Sequence, residues 1–488
     1  MEKLTSSEDL SKELLSPMIK SKRRYPMYVF YVLLAVSLLN QLDRTLFDGA
    51  ANIIAKELHL GVSSIGYLST AFTIFVTLAA LPMGIFADRT KRKNVITACL
   101  AVWSLATAFT ALAGNFATLF LTRTVVGIGE AGYAPASHAL LGSHFASSKR
   151  TRIMTWYSLG GLVGGALGVI LGGVVAGLSY GSWRLAFFIT GLLGLLLVVV
   201  TWRLRESPPN QPDRGSGEYH LSVKKSETGV QKLPKTLFAL KQVLAPFWTL
   251  LHIRTLVVLI VIQTLASFAI TGFRIYFPTL LQQKDVLGWS SAQAAVFTGL
   301  TLLPAAIAGI LLGGYLSDWL NRRYRGALVF VCGVSLLLSA TFMSIVLLVL
   351  LSLHSVLLFA TFFALLVMAF SMSTGPATAA TLDVVPASLR ASAVAFTALL
   401  QYFLGAAFAP TLVGSLASAF DPTGQHFLHG MAGHDLVLAF FTVAPAAFLI
   451  AGIVGLVGSR WMEADQEAAQ RADEATIEID TLADQQGA

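Results

Sequence analysis

Several charged residues of this sequence lie inside long apolar stretches, where an ionised side chain is costly and is usually kept for function. Asp43 and Arg44 are adjacent and lie past the middle of the first apolar stretch. Arg123 and Glu130 share a later stretch, and their separation places them on nearly the same face of a helix, about 10 Å apart along its axis. Arg274 lies deep in a stretch of the second half of the chain. Such charges are tolerated when they face one another or a water-filled cavity.

Buried carboxylates and arginines together could couple a proton to an anionic ligand. Protonation of a carboxylate and occupancy of a neighbouring arginine are linked, because each changes the charge that the other meets. Arginine suits a phosphate headgroup, since its planar fork donates two parallel hydrogen bonds. The structural alternative is an ion pair of Asp43 or Glu130 with Arg123 that only fixes the registry of two helices. Arg274 has the same two readings, as a headgroup contact or as a registry residue.

The composition predicts that lipid surrounds most of the chain. Of its 488 residues, 55% are hydrophobic and 12% are charged, and the mean hydropathy is +0.70. Soluble domains carry about 25% charged residues, so this chain has too little polar surface to coat a water-soluble globule. The net charge of +8 does not indicate nucleic-acid binding, because the basic residues lie in short loops between apolar segments. We also find no nucleophile motif, metal-ligand cluster, phosphate loop or redox pair, so an enzyme, a cofactor and a metal site are not expected.

A membrane-spanning helix needs about 20 apolar residues, and twelve stretches meet this length. The predicted spans are Met27–Ala51, Ser64–Ala87, Asn94–Leu112, Ala117–Leu141, Ile153–Leu178, Leu185–Trp202, Leu256–Leu280, Ala292–Leu316, Ala327–Leu350, Val356–Ala380, Ala391–Ser418 and Leu436–Val457. Lys and Arg concentrate before the first span and in the loops after the even-numbered spans. By the positive-inside rule, both termini are predicted to be cytoplasmic.

The predicted organisation is all-α, with two six-helix bundles in one membrane. Residues 1–25 form a cytoplasmic tail, 26–205 the first bundle and 255–460 the second. Residues 206–254 form a cytoplasmic linker, in which Lys235–Leu251 has helical apolar spacing and lies either on the inner membrane surface or against the bundle. Residues 461–488 carry eight acidic residues against one arginine, which predicts a solvated and partly disordered tail.

The two halves share a motif six spans apart, which indicates internal duplication. A glycine is followed by an aspartate four residues later and then by basic residues, at the end of spans two and eight. The motif residues are Gly84, Asp88, Arg89 and Arg92 in the first copy, and Gly314, Asp318 and Arg322 in the second. A small residue permits close helix approach and the charges can latch one bundle to the other, so we predict a gate. In the second copy, Trp319 replaces the arginine that follows the aspartate.

This duplicated motif resembles that of the major facilitator superfamily, from Pro26 to Arg460 of the chain. The resemblance implies alternating access, with two bundles rocking about a central cavity. Glycines also crowd the fifth span, where they would permit tight packing against a partner helix. They are Gly161, Gly164, Gly165, Gly168, Gly172 and Gly173.

Within that superfamily, two stretches resemble the spinster family of lysolipid transporters. They run from Leu39 to Arg44, followed by Gly49, and from Arg123 through Glu130 and Pro135 to Ser137. The resemblance implies that Asp43 and Glu130 take part in proton coupling, and that Arg44 and Arg123 contact a headgroup or those acids. Asn40 and Tyr133, within the matching stretches, are further predicted substrate-binding residues, and Arg274 is added on physical grounds.

The leading prediction is therefore a secondary transporter that moves a lysophospholipid or a sphingosine-phosphate-like lipid, coupled to protons and without a bound cofactor. The alternatives are a proton-coupled transporter of a soluble organic anion or drug, and a lipid-responsive receptor or scramblase. We expect a monomeric, multi-pass membrane protein in contact with membrane lipids, located in the inner (plasma) membrane if the source is bacterial.

Overall fold

The computed structural model of this protein describes residues 7–145, 147–205, 248–353 and 355–486, and within these ranges it contains helices and no β-strand. The first half holds α1 Ser7–Glu57, α2 Val62–Arg89, α3 Arg92–Thr110, α4 Phe116–Glu130, α5 Tyr133–His144, α6 Ser147–Ala176 and α7 Trp183–Trp202. The second half holds α8 Arg254–Leu281, α9 Ser291–Asn321, α10 Ala327–Leu348, α11 Val356–Met372, α12 Thr374–Asp383, α13 Arg390–Leu400, α14 Ala409–Phe420, α15 Gln425–His429, α16 Gly433–Gly458 and α17 Met462–Gln486. The predicted linker segment before Trp248 lies outside the described residues.

Eleven helical segments are long and apolar enough to cross a membrane. The predicted fourth span is the remaining one, because it is divided into α4 and α5 by a break at Ala131 and Gly132. Pro135 is compatible with this break. It lacks an N–H and lies in the first turn of α5, where backbone N–H groups have no partner within the helix. The predicted tenth span breaks at Ser373 in the same way, with Pro376 in the first turn of α12. Interrupted helices at matching positions of two halves are typical of transporter binding regions.

Glycines bring α6 against α1 along three successive turns. Gly164, Gly168 and Gly172 lie beside the backbone oxygens of Leu38, Leu42 and Leu46, and a Cβ on any of the three would overlap that oxygen. Without side chains, the two helix backbones approach closely, as small residues allow in membranes. The predicted packing role of these glycines agrees with this contact.

Gly164→Ala should destabilise the protein by about 1–3 kcal/mol, the usual cost of overpacking a tight contact, because the obstacle is the α1 backbone. The neighbouring Gly165→Ala variant is the matched control, since its nearest neighbour is the Thr45 methyl group at 3.9 Å. Thermal unfolding in detergent measures both variants. An equal loss of stability in the two variants would show that the contact with the α1 backbone does not determine the cost of Gly164→Ala.

The two halves contact each other at one end of the spans, which we call the closed end and which carries the loops 58–61 and 282–290. Here Asn52 Nδ2 donates to Gln282 Oε1 at 2.8 Å, and Thr411 Oγ1 donates to Thr70 Oγ1 at 2.8 Å. Gly66 also lies directly against the carbonyl of Pro410. These contacts join α2 to α14 and α1 to α8, so this end seals the space between the halves.

At the opposite, open end, which carries the loops 90–91 and 322–326, the halves separate. The duplicated motif lies here, and a Cβ added to Gly84 or Gly314 would meet no atom of the described residues within 4 Å. The close helix approach expected of these glycines is therefore absent in this conformation. Arg92 Nη1 donates to the Ala139 carbonyl near the end of α5, so it joins two helices of the same half.

The C-terminal segment differs from its prediction, because α17 is a helix docked on the second half. Asp465 Oδ2 accepts a hydrogen bond of 2.7 Å from the Thr255 backbone N–H at the start of α8. Asp473 Oδ1 accepts one of 2.9 Å from the Ala387 N–H, and Arg325 pairs with Glu463 at 3.3 Å. The acidic residues thus satisfy helix N-termini and a basic loop, interactions that composition alone does not reveal.

Asp465→Ala should lower the free energy of unfolding by about 1 kcal/mol, as for the loss of a helix cap. Glu474→Ala is the control, because Glu474 is exposed on the same helix. Thermal unfolding in detergent compares the two. A midpoint of Asp465→Ala equal to that of the control would contradict the docking role of α17.

Candidate functional site

A cavity of about 300 Å³ lies between the halves. Its walls come from α1, α2, α4 and α6 of the first half, and from α8, α9 and a π-helical turn at Gln401–Ala406 of the second. Most of the lining is apolar, including Phe47, Phe72 and Leu302. Four charged residues also line it, and they are Arg44, Asp48, Arg123 and Arg274. The cavity therefore presents charge within an apolar enclosure.

Arg44 of α1 pairs with Glu130 at the end of α4, with Nε 2.6 Å from Oε2. The glutamate side chain is fully buried, whereas that of Arg44 is 30% exposed toward the cavity. The Asn40 amide adjoins the same carboxylate, although Asn40 Nδ2 and Glu130 Oε1 form no well-aligned hydrogen bond. The registry alternative expected Asp43 or Glu130 to pair with Arg123, and the structure instead pairs Glu130 with Arg44.

Asp43 points away from Arg44, because adjacent helical residues diverge by about 100°. Its carboxylate is buried, and Thr107 Oγ1 of α3 lies 3.5 Å from Oδ2. Oδ1 has no hydrogen-bond partner among the described residues, and none of the ion pairs described includes Asp43. The structure thus gives the two predicted proton carriers different partners, an arginine for Glu130 and a threonine for Asp43.

Arg123 is a buried arginine that forms no ion pair among the described residues, although the carboxylates of Asp48, Glu130 and Asp43 lie close enough for their charges to interact with it. Its guanidinium carbon lies 4.0 Å from the centre of the Phe47 ring, with Phe187 and Phe72 at 5.9 and 6.0 Å. The residue is 4% exposed, and its Nε finds no acceptor among the described residues. Cation–π contacts partly offset the loss of water, but the donors of the guanidinium fork remain available at the cavity wall.

Arg274 of α8 forms an ion pair with Asp48 of α1. Asp48 is a charged cavity residue that the sequence analysis did not single out, although a signal was present. It follows Arg44 by four residues, so both share one face of α1, and it is a further charge within the same apolar stretch. The pair joins the first half to the second inside the cavity.

Two other predicted residues lie away from the cavity wall. Tyr133, at the start of α5, is buried, with its ring against Trp103 and its hydroxyl against that of Tyr157. Asn40 is buried behind Arg44. In this conformation Asn40 can position Glu130, which it adjoins. Tyr133 can stabilise the α4–α5 break, which it follows directly.

The predicted gating residues lie at the open end, remote from the cavity. Asp88 and Arg89 end α2, and their side chains lie outside the part that the structure describes. Asp318 and Arg322, at the end of α9, are exposed. Arg323 stacks on Trp319 at 5.2 Å, so the residue that departs from the first copy of the motif takes part in a cation–π contact instead.

Beyond the cavity, possible metal-ligand atoms of Asp421, His426 and Asp435 lie within 4.8 Å of one another at the closed end. Hydrogen bonds within the loop account for this grouping, since His426 Nδ1 lies 2.8 Å from Asp435 Oδ2. The hydrogen bond to Asp435 raises the pKa of the His426 imidazole. The arrangement is that of a histidine–carboxylate pair at the start of α16.

Comparison with known proteins settles the family. The model of the Major Facilitator Superfamily matches residues 33–410. Protein spinster homolog 1 of Bos taurus is 30% identical over 400 residues, which cover 79% of this chain and 72% of that protein. The chain belongs to the major facilitator superfamily and, within it, to the spinster proteins.

Other relatives of this spinster protein agree over most of the chain. The sphingosine-1-phosphate transporter SPNS2 of Danio rerio is 26% identical over 449 residues, covering 86% of this chain and 82% of that protein. The fold is similar to the crystal structure of a bacterial homolog of the human lysosomal transporter spinster, described as inward-facing and unoccupied. That likeness has a TM-score of 0.73 at 23% identity and covers 92% of this chain and 98% of that one. The protein is thus a multi-pass integral membrane transporter of the spinster type.

Proposed function

We propose that this spinster-type protein transports a lysolipid with an anionic headgroup and couples this transport to protons. The observation that carries the proposal is Arg123, a buried guanidinium at the cavity wall with no carboxylate partner among the described residues. Burying an unpaired charge is expensive, so such an arginine is retained where a ligand supplies the missing anion. Arg274, from the opposite wall of the cavity, can reach the same anion.

An amphiphile fits the cavity better than a small hydrophilic anion does. The charged residues are set among apolar side chains such as Phe72, Val76 and Leu302. An acyl chain gains about 0.8 kcal/mol for each methylene group that leaves water. The separation of the halves at the open end leaves room for a chain to extend past the cavity. The name of the SPNS2 relative supports the same ligand class.

Coupling to protons is proposed for Asp43 and Glu130. Both carboxylates are buried near the cavity arginines but differ in their partners, since Glu130 contacts Arg44 and Asp43 contacts Thr107. If a headgroup engages Arg44, then Glu130 loses part of its counter-charge, and a proton can replace it. Ligand and proton are then bound together.

Flux of labelled lysophospholipid into proteoliposomes, with and without an imposed proton gradient, tests the proposal. We expect accumulation against the lipid gradient only when the proton gradient is present. In a binding assay, lysophospholipid should compete better than a short-chain phosphate ester or lactate. Better competition by lactate would favour a transporter of soluble organic anions. Flux that is indifferent to the proton gradient would favour a scramblase.

A further inference from the structure

The ion pair between Asp48 and Arg274 differs in kind from the other ion pairs of the described residues. The remaining pairs each lie within one half, such as Arg44 with Glu130 and Arg184 with Glu57. Asp48 belongs to α1 and Arg274 to α8, so only this pair, among those between described side chains, links the halves. It also lies in the cavity wall.

The two partners are unequally accessible. The side chain of Arg274 is 36% exposed, whereas that of Asp48 is 5% exposed. A headgroup that enters the cavity therefore meets the guanidinium before it meets the carboxylate. Arg123 also lies close enough to Asp48 for the charges to interact, so the aspartate keeps one cationic neighbour when Arg274 moves.

An anionic headgroup and Asp48 compete for one cation. A phosphate can take two parallel donors of the Arg274 fork, whereas the Asp48 carboxylate accepts a hydrogen bond from Nη1. Removing one partner of an ion pair is costly when the other charge is buried, because that charge is left uncompensated. This cost opposes headgroup binding to Arg274 and favours its release. The carboxylate is thus placed to reclaim Arg274 when the headgroup departs.

We infer that Asp48 is a release residue, which competes with the anionic headgroup for Arg274 and re-forms the link between the halves as the headgroup leaves. The inference rests on the proposed anionic lysolipid, and it assigns Asp48 a role in the affinity and turnover of that substrate. In the empty cavity Asp48 occupies Arg274 and joins the halves. In the loaded cavity the headgroup occupies Arg274 and the link is open.

Asp48→Asn removes the competitor and keeps the size of the side chain. We expect a Kd for lysophosphatidate about tenfold lower than that of the wild type, which corresponds to about 1.4 kcal/mol. The Kd for neutral monoacylglycerol should not change, and the maximal flux should fall because release is slower. Arg274→Gln should weaken lysophosphatidate binding, and the double variant should resemble Arg274→Gln. If Asp48→Asn weakened binding as much as Arg274→Gln, the pair would be structural and the inference would be wrong.

Glu57→Gln is the matched control. Glu57 pairs with Arg184 with nearly the same exposures, 5% and 34%, but within one half and away from the cavity. It should leave both Kd values unchanged. A lower lysophosphatidate Kd in this control would show that loss of any buried carboxylate produces the effect, and would overturn the inference.

A second measurement needs no ligand and therefore separates this inference from the proposed function. Spin labels at the exposed residues Tyr180 and Met431 report the distance between the halves at the closed end. Asp48→Asn should broaden this distance distribution or shift it to longer values in the empty protein. An unchanged distribution would refute the linking role of the pair. If Asp48→Asn shifts the distribution but the wild type binds neither lysophosphatidate nor monoacylglycerol, the proposed substrate is refuted and the linking role of the pair stands.

Discussion

Glu130→Gln should abolish proton-driven flux while leaving lysolipid binding measurable. The amide retains the shape of the side chain but cannot carry the proton, and it leaves Arg44 without the carboxylate now 2.6 Å away. Removal of a group that must carry a proton typically costs about 10²–10⁴-fold in rate, so we expect proton-driven flux to fall by at least roughly a hundredfold. Flux of labelled lysophospholipid under an imposed proton gradient measures the change, and a direct binding assay on the same sample shows that the site persists.

The control for this variant is Glu57→Gln, which removes another arginine-paired and buried glutamate of the same half. It can lower stability, but flux per folded molecule should stay at the wild-type level. Wild-type proton-driven flux in Glu130→Gln would refute the coupling role of Glu130. Complete loss of binding would indicate instead that the Arg44–Glu130 pair maintains the shape of the cavity.

The spans were predictable because hydrocarbon imposes a simple requirement on length and polarity. The interruptions within them were not, since Ala117–Leu141 reads as one apolar stretch. The breaks at Gly132 and Ser373 depend on backbone packing, as at Gly132, where a Cβ would meet Cys99 Sγ at 2.9 Å. Pro135 and Pro376 were the sequence signals for the two breaks. Because they occupy matching positions in the two halves, each supports the prediction of a break at the other.

The charged residues were predictable as a group but not in their pairing. Helical periodicity places Glu130 and Arg123 on one face of a helix, so the sequence favours an ion pair that involves Arg123. The pairing depends instead on which residues of α1 face α4, and α1 presents Arg44 to Glu130. The role of Asp48 depends on α8, which lies in the other half, and no local pattern can specify such a contact. The glycines of α6 were easier, because small residues in a membrane helix have few other uses.

Arg123→Ala should weaken the binding of anionic headgroups about 10- to 100-fold, and the binding of neutral analogues much less. A hydrogen bond to a charged group is worth about 1.5–3 kcal/mol, and the donors of Arg123 have no carboxylate partner among the described residues. The comparison of lysophosphatidate with monoacylglycerol of the same chain length isolates the headgroup, because the apolar contribution is common to both. Affinity for each lipid is the measurement.

Two further variants separate recognition from packing, since Arg123 also lies against Phe47 at 4.0 Å. Arg123→Lys keeps the charge but loses the planar fork, so it should bind the anionic lipid with an affinity between those of the wild type and the alanine variant. Arg184→Ala removes an arginine that also stacks on an aromatic ring, that of Trp183, but lies at the closed end, outside the cavity, and it should change neither affinity. An equal loss of affinity for both lipids in Arg123→Ala would show that the arginine stabilises the packing of the surrounding aromatic rings and does not recognise the headgroup. A headgroup-selective loss would establish that the charge buried among Phe47, Phe72 and Phe187 is there for the ligand.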